Sequence, residues 1–217
     1  AWAGAAPDWR AMPPPKEQAA PERIVPSRIV EETSRVALAI SPLAGPQTPA
    51  AKRIAAMARG AAVHALLQHL PSLPESARED AALAYLQAQP ALAPEAREIC
   101  ASVLKILRDP ALEALFGPGS GAEVPLAGVV AGREVGGTAD RVFIGAEEII
   151  VADYKTDRNP PLSPAGIPEK YAVQLAAYRA VLRQIHPGRP VRCVLVWTAR
   201  AEAMAVPDAM LDKAALA

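Results

Sequence analysis

This chain lacks net charge. Its 23 basic and 23 acidic side chains cancel, so no bulk positive field advertises a nucleic-acid partner, and any grip on phosphate has to come from a local patch or a bound metal. Cysteine is nearly absent. Cys100 and Cys193 lie far apart and flank no Cys-x-x-Cys, which excludes a disulfide framework and a thiolate metal site and leaves two ordinary buried thiols. No stretch approaches the ~20 continuous apolar residues of a membrane-spanning helix, and Ala1-Trp2-Ala3-Gly4 has neither an initiator methionine nor the layout of a signal peptide. A Gly-x-x-x-x-Gly-Lys-Ser/Thr loop is missing as well, so there is no ATP site of that kind. The expectation is a cytoplasmic fragment of a longer chain.

What is present is alanine, leucine and proline, with aromatic residues at only 4% of 217. That length suits one domain with a sizeable core. Residues 1–26 carry Pro7, Pro13, Pro14, Pro15, Pro21 and Pro26, a composition that favours extended, semi-rigid chain, and they read as a linker from an upstream region. Trp2 and Trp9 within it read either as docking onto a neighbouring surface or as the edge of that upstream region. Residues 27–217 form the domain, with 27–117 mostly helical and 122–200 a sheet core.

A helical pattern begins at Ser27 with Val30, Ser34 and Ala37 on one face and breaks over residues 41–49. A longer helix over 50–70 follows, its apolar residues Ile54, Met57, Val63, Leu66, Leu67 and Leu70 at helical spacing and Pro71 ending it. Gly60 and His64 are one turn apart on it. With no side chain at Gly60, another backbone or a ligand can approach beside the imidazole, although a lone histidine there also reads as an ordinary helix residue. Helices over 75–89 and 94–108 read as packing elements, and a short one follows Pro110.

After Gly117-Pro118-Gly119-Ser120-Gly121 the period changes to short β-branched runs, which is the signature of a sheet. An even hairpin turn over 145–148 sets Ile144 opposite Ile149, and the same register sets Asp140 opposite Asp153. Two facing carboxylates repel unless a cation or proton lies between them. Alternation puts Lys155 on the face of Asp153, while Tyr154 points away and offers only its carbonyl. Oxygen ligands of this kind suit Mg²⁺, with Mn²⁺ as a substitute. Such an ion stabilises charge developing on phosphorus, and Lys155 would orient the attacking water or neutralise the transition state.

Taken singly, Asp140 beside Arg141 also reads as a surface ion pair, and Asp153-Tyr154-Lys155 as a strand end with solvated charges. Glu123 reads either as a further carboxylate of the site or as an exposed strand-end residue. A helix after Ile167-Pro168 buries Tyr171, Leu175, Tyr178 and Leu182. Gln174 lies on that side and either braces the metal-bearing strand or contacts a DNA backbone. Residues 191–197 form a further buried strand.

Gly60-x-x-x-His64, Glu123, Gly137-x-x-Asp140, Asp153-Tyr154-Lys155-Thr156 and Gln174-x-x-x-Tyr178 together resemble the RecB-type branch of the PD-(D/E)XK nucleases, over roughly residues 26–199. Within it the chain looks most like the C-terminal nuclease domains of AddA-type helicase-nuclease subunits of bacterial double-strand break repair. The resemblance implies an α/β (α+β) restriction-endonuclease-like core, a mixed central sheet flanked by helices with an N-terminal helical section. It implies metal held by His64, Asp140, Asp153 and the Tyr154 carbonyl, with Lys155 as the catalytic lysine. Gln174, Tyr178, Gly60 and Thr156 would support the site or engage DNA. Implied partners are DNA as single-stranded ends, upstream helicase domains and an AddB-like subunit. Ala139 stands where the superfamily's proline would be, which this branch tolerates. AddB-like relatives carry four cysteines for an iron–sulfur cluster, and two cysteines imply none here. The alternative to an active nuclease is a catalytically silent DNA-binding or subunit-docking module of the same fold.

Overall fold

The computed structural model describes residues 23–26 and 49–215. The expected helix from Ser27 and the two linker tryptophans lie outside them. At the near end of the stretch read as linker, Arg23–Ile24 forms a short strand, β1. The helical section is α1 (Pro49–His69), α2 (Glu75–Gln87), α3 (Ala96–Leu107) and the one-turn α4 (Glu113–Phe116). Pro71 falls in a 3-10 turn, Leu70–Ser72, that ends α1, as a residue without an amide hydrogen should. The apolar spacing along α1 is only half used. Val63, Leu66, Leu67 and Leu70 are buried, but Ile54 and Met57 are exposed, because the core along this helix begins at Ala58.

The sheet follows as β2 (Ser120–Val130), β3 (Arg133–Ile144) and β4 (Ile149–Lys155), then α5 (Glu169–Ile185) and β5 (Val191–Trp197). β2 and β3 are a long antiparallel hairpin interrupted at one position, and β1 and β4 share the other edge of β3. The register of β3 with β4 is the expected one, with Ile144 opposite Ile149. α5 carries the chain back over the sheet so that β5 runs parallel to β4. Two elements went unforeseen: β6 (Glu202–Ala205), antiparallel to β5, and α6 (Asp208–Lys213). Both are too short and polar to show a period.

Every residue of β4 is buried, as expected of a strand covered on both faces. Alternation divides it between two cores. Ile150, Ala152 and Tyr154 pack with α1 to α4, whereas Ile149 and Val151 pack with α5, Cys193, Leu195 and Trp197. Cys100 and Cys193 are free, buried thiols. Among the described residues no helix is long and apolar enough to cross a membrane.

The outer edge of the α5 core is closed by charge. Arg179 of α5 is 3% exposed, and its guanidinium donates to Asp208 Oδ1 at 2.9 Å and to Asp212 Oδ1, both on α6. Removing both carboxylates strands a buried cation, whereas replacing Arg179 by an apolar side chain removes that cation too. Asp208→Ala with Asp212→Ala should therefore lower the melting temperature by more than Arg179→Met, with a cost of about 2 kcal/mol for the carboxylate pair after discounting their exposure. Thermal denaturation of the three proteins decides it, and the reverse ranking would show that the ion pairs do not anchor α6.

Candidate active site

Hydrogen-bonded pairing between β3 and β4 stops at Arg141–Ala152, one step short of the pair expected to face each other. Asp140 replaces the next rung with its side chain: Oδ2 accepts from the Tyr154 amide at 2.6 Å. On the other edge, Ala122 pairs with Arg141 and Val124 with Ala139, so Glu123 lies opposite Asp140, and neither forms a regular pair. Glu123 has φ of +49°, a left-handed conformation that costs a residue other than glycine about 1 kcal/mol or more. Strand alternation also slips here. Ala139 and Val142, three apart, both pack in the α5 core, so Asp140 sits at a local distortion where its carboxyl leaves the face assigned to it by simple alternation.

The result is a cluster. Donor atoms of His64, Glu123 and Asp140 lie within 4.8 Å of one another, with His64 Nδ1 3.4 Å from Asp140 Oδ1. The Tyr154 ring meets the imidazole edge-on at 5.4 Å between centroids. One nitrogen and two carboxylates at this spacing suit a hard divalent cation, so the residues fit the metal that their types imply. Glu123 is thus placed beside the other two ligand groups while remaining exposed on its strand.

Asp153 lies on the α5 side. It is 3% exposed, and its Oδ2 is 2.5 Å from Lys155 Nζ, itself 8% exposed. These are not solvated charges at a strand end. Nor does Arg141 pair with Asp140: its guanidinium is buried, donates to the Leu67 carbonyl at 3.3 Å and stacks 5.1 Å over the Phe116 ring. Burial pushes the Asp153 carboxyl up from 3.8 to about 6, with Lys155 opposing and Asp140 reinforcing. Burial and Asp140 raise Glu123 as well. For His64, burial acts downward, but the contact with Asp140 and the charges of Asp140, Asp153 and Glu123 outweigh it, and the net direction is up from 6.5.

The helix motif braces the lysine. Lys155 donates to Gln174 Oε1 at 3.0 Å, Gln174 Nε2 reaches Tyr178 Oη at 3.5 Å, and Tyr178 donates to the Thr138 carbonyl at 2.8 Å. A line of contacts therefore ties β4 to β3 through α5, two residues from Asp140, which favours bracing for Gln174 over a DNA contact. Gly137 makes room for it, because a Cβ there would lie 3.0 Å from Tyr178 Oη. Gly60 serves Thr156 likewise, at 3.3 Å from Oγ1.

Sequence reasoning missed what surrounds Lys155. Its ammonium lies 4.2 Å from the centroid of Tyr171, whose hydroxyl donates to Asp157 Oδ2 at 2.9 Å. Beyond it opens a cleft of about 440 Å³ lined by Arg59, Thr156, Arg158, Lys170 and Tyr171, among others. Two of the cations lie close to a motif residue, Arg59 just before Gly60 and Arg158 two after Thr156, and that adjacency was the only signal available. A larger cleft, about 960 Å³, lies between α2 and α3 around Leu83, Cys100 and Lys105 and contains none of these groups.

Residues 39–213 match the family described as the PD-(D/E)XK nuclease superfamily. A solved structure titled "Crystal structure of SSO0001" is similar at 18% identity over 75% of this chain and 83% of that chain, with a TM-score of 0.33. No curated protein matches.

The three shifted groups act on stability with one sign. Asp153 and Glu123 hold protons more tightly in the folded state than in the unfolded one, so stability falls as pH rises from the unfolded carboxylate values through the folded ones. His64, with its folded value raised, contributes stability that is complete below 6.5 and lost as pH rises through that folded value. In EDTA, the melting temperature should therefore drop by roughly 5 °C more between pH 5 and pH 8 than it does in Asp153→Asn. Saturating Mg²⁺ or Mn²⁺ should restore it at pH 8, since the cation substitutes for the lost protons. Glu123→Gly should raise the metal-free melting temperature while shrinking the metal-induced rise. Equal pH slopes in native protein and Asp153→Asn would contradict a buried Asp153 carboxyl that holds its proton despite Lys155.

Proposed function

The chain belongs to the PD-(D/E)XK nuclease superfamily, and from that premise we propose that it is a divalent-metal-dependent deoxyribonuclease. The observation that carries the proposal is the meeting of His64, Glu123 and Asp140 within 4.8 Å beside the buried Asp153–Lys155 pair. Carboxylates crowded next to a fixed ammonium, Asp153 among them buried, make sense where a cation and a phosphate join them. The motif order further supports an AddA-type setting: a nuclease domain fed a single DNA strand by upstream helicase domains, working with an AddB-like subunit in double-strand break resection and recombinational repair in a bacterial cytoplasm. Mg²⁺ is the ion of choice.

In this reading His64, Asp140 and Asp153 hold the metal with the Tyr154 carbonyl, and Glu123 joins them. A bound Mg²⁺ supplies Lewis-acid stabilisation of the charge that develops on the phosphoryl oxygens and the leaving oxygen. The chain's own groups do the positioning. The Tyr154 amide fixes one Asp140 oxygen, leaving the other toward His64. Lys155, held between Asp153, Gln174 and Tyr171, keeps its ammonium in place without reorganisation as water adds to phosphorus and the bond to the sugar oxygen breaks. Burial of Lys155 and Asp153 strengthens that interaction relative to water. His64 must be neutral to offer a lone pair, so the acid side of the activity profile reports its deprotonation together with that of Asp153.

Digestion of end-labelled single-stranded DNA with Mg²⁺ tests the proposal. The native chain should cut, EDTA should abolish cutting, and Asp153→Ala and Lys155→Ala should each lose at least about a hundredfold. Equal cutting by native protein and Asp153→Ala would sink the assignment. DNA binding with no cutting by any form would mark the silent module instead.

A further inference from the structure

The cleft beyond Lys155 is built from cations of three separate elements. Arg59 comes from α1, Arg158 from the segment after β4, and Lys170 from the first turn of α5. In a chain with no net charge, such convergence beside the candidate catalytic lysine is a local feature that composition does not explain. Its carboxylates are otherwise occupied. Asp157 accepts from the Tyr171 hydroxyl, and Glu95, at the end of the 3-10 turn before α3, reaches over from the helical section.

Glu95 has a particular geometry. Its Oε2 is 2.6 Å from Arg59 Nη1, and its Oε1 is 3.9 Å from Arg158 Nη2, so one carboxylate spans two guanidinium groups. Glu98 adds a second, more exposed contact to Arg59 at 3.3 Å. An anion that offers one oxygen to each of two arginines is an arrangement that the two non-bridging oxygens of a phosphodiester can take up in the same place. Arg158 is 75% exposed along its side chain and Glu95 41%, so both can move, whereas Arg59, at 12%, is the fixed member. Lys170 has its ammonium 5.0 Å from the Tyr171 ring centroid, on the same aromatic side chain that Lys155 approaches.

We propose that this cleft binds a backbone phosphate of the DNA strand flanking the one to be cut, held by Arg59, Arg158 and Lys170, and that Glu95 occupies the two arginines until DNA displaces it. The proposal rests on the nuclease reading for its choice of ligand. It assigns the strand a path: across the Lys155 side of the β4 end, between the start of α5 and the α1–α3 seam. Because phosphate contacts carry no sequence information, the cleft holds any sequence equally. Glu95 makes occupancy an exchange of one anion for another, which weakens binding of the free domain and favours strands long enough to fill both phosphate positions.

The test reads binding without cleavage. Fluorescence anisotropy with a labelled oligothymidylate of about fifteen nucleotides, in EDTA, is run over a range of salt for the native chain, Arg158→Gln, Lys170→Gln and Glu95→Gln. Each lost cation should weaken binding and reduce the slope of log Kd against log salt by about 0.7. Glu95→Gln should tighten binding by up to about fivefold. Slopes unchanged in both cation variants would overturn the cleft, and binding that is weakened or unchanged in Glu95→Gln would overturn the exchange, since a carboxylate that phosphate has to displace weakens binding for as long as it is present. Circular dichroism melts confirm that each variant folds. Altered slopes in a protein that never cuts DNA would instead fault the nuclease reading and leave the cleft standing.

Discussion

The hydrogen bond from the Tyr154 amide to Asp140 ends the β3–β4 pairing and begins the site. Had the ladder continued, the Asp140 and Asp153 carboxylates would have faced each other across a regular strand pair with nothing between them, at a Coulomb cost that burial multiplies. Instead Asp140 takes a backbone donor of its own, at 2.6 Å, and its free oxygen turns to His64. Glu123 enters a left-handed conformation opposite it, and the strands diverge. A local backbone cost on β2 and β3 is thereby exchanged for a cluster of ligand atoms, and the surrounding structure is what holds that distortion in place.

β4 can serve that cluster because it is covered on both sides. Its even residues face α1 and the helical section, and its odd residues face α5, so Tyr154 supports the imidazole on one side while Asp153 and Lys155 meet Gln174 on the other. Each helix contributes an inward group that works beside a glycine gap: His64 with Gly60 on α1, and Gln174 with Tyr178 of α5 against Gly137 of β3. A glycine at each gap lets the partner side chain come to within ordinary contact, which ties the position of the helices to the geometry of the strand ends. The site is therefore as rigid as the packing of two cores, which suits chemistry that depends on charge fixed in advance.

Sequence periodicity reached much of this. The Ile144–Ile149 register followed from turn length alone, and the α5 stripe of Tyr171, Leu175, Tyr178 and Leu182 is buried as its spacing requires. What failed did so for tertiary reasons. Ile54 and Met57 have the right period but lie beyond the reach of the core, and Arg141 looks like a surface partner for Asp140 until β3 turns it onto Leu67 and Phe116. The place of Glu123 was open because alternation cannot show a left-handed residue, and strand-end polarity is the same in either role. His64 was legible as a ligand only through the resemblance, since it lies far from both aspartates in the sequence. β6 and α6 are held by Arg179 and by pairing with β5 rather than by any period of their own.

Charge neutrality, which by itself says nothing about a nucleic-acid partner, is better understood as separation. The carboxylates gather where β3 and β4 part, and the cations Arg59, Arg158 and Lys170 gather just past Lys155. A DNA strand crossing the end of β4 meets both in turn: an anionic pole that needs a divalent ion before it can tolerate phosphate, and a cationic cleft whose anion is already supplied by Glu95. Neither pole has much free attraction for DNA when the metal is absent, because one repels phosphate and the other is internally neutralised. Affinity in such an arrangement depends on metal more than on long-range attraction.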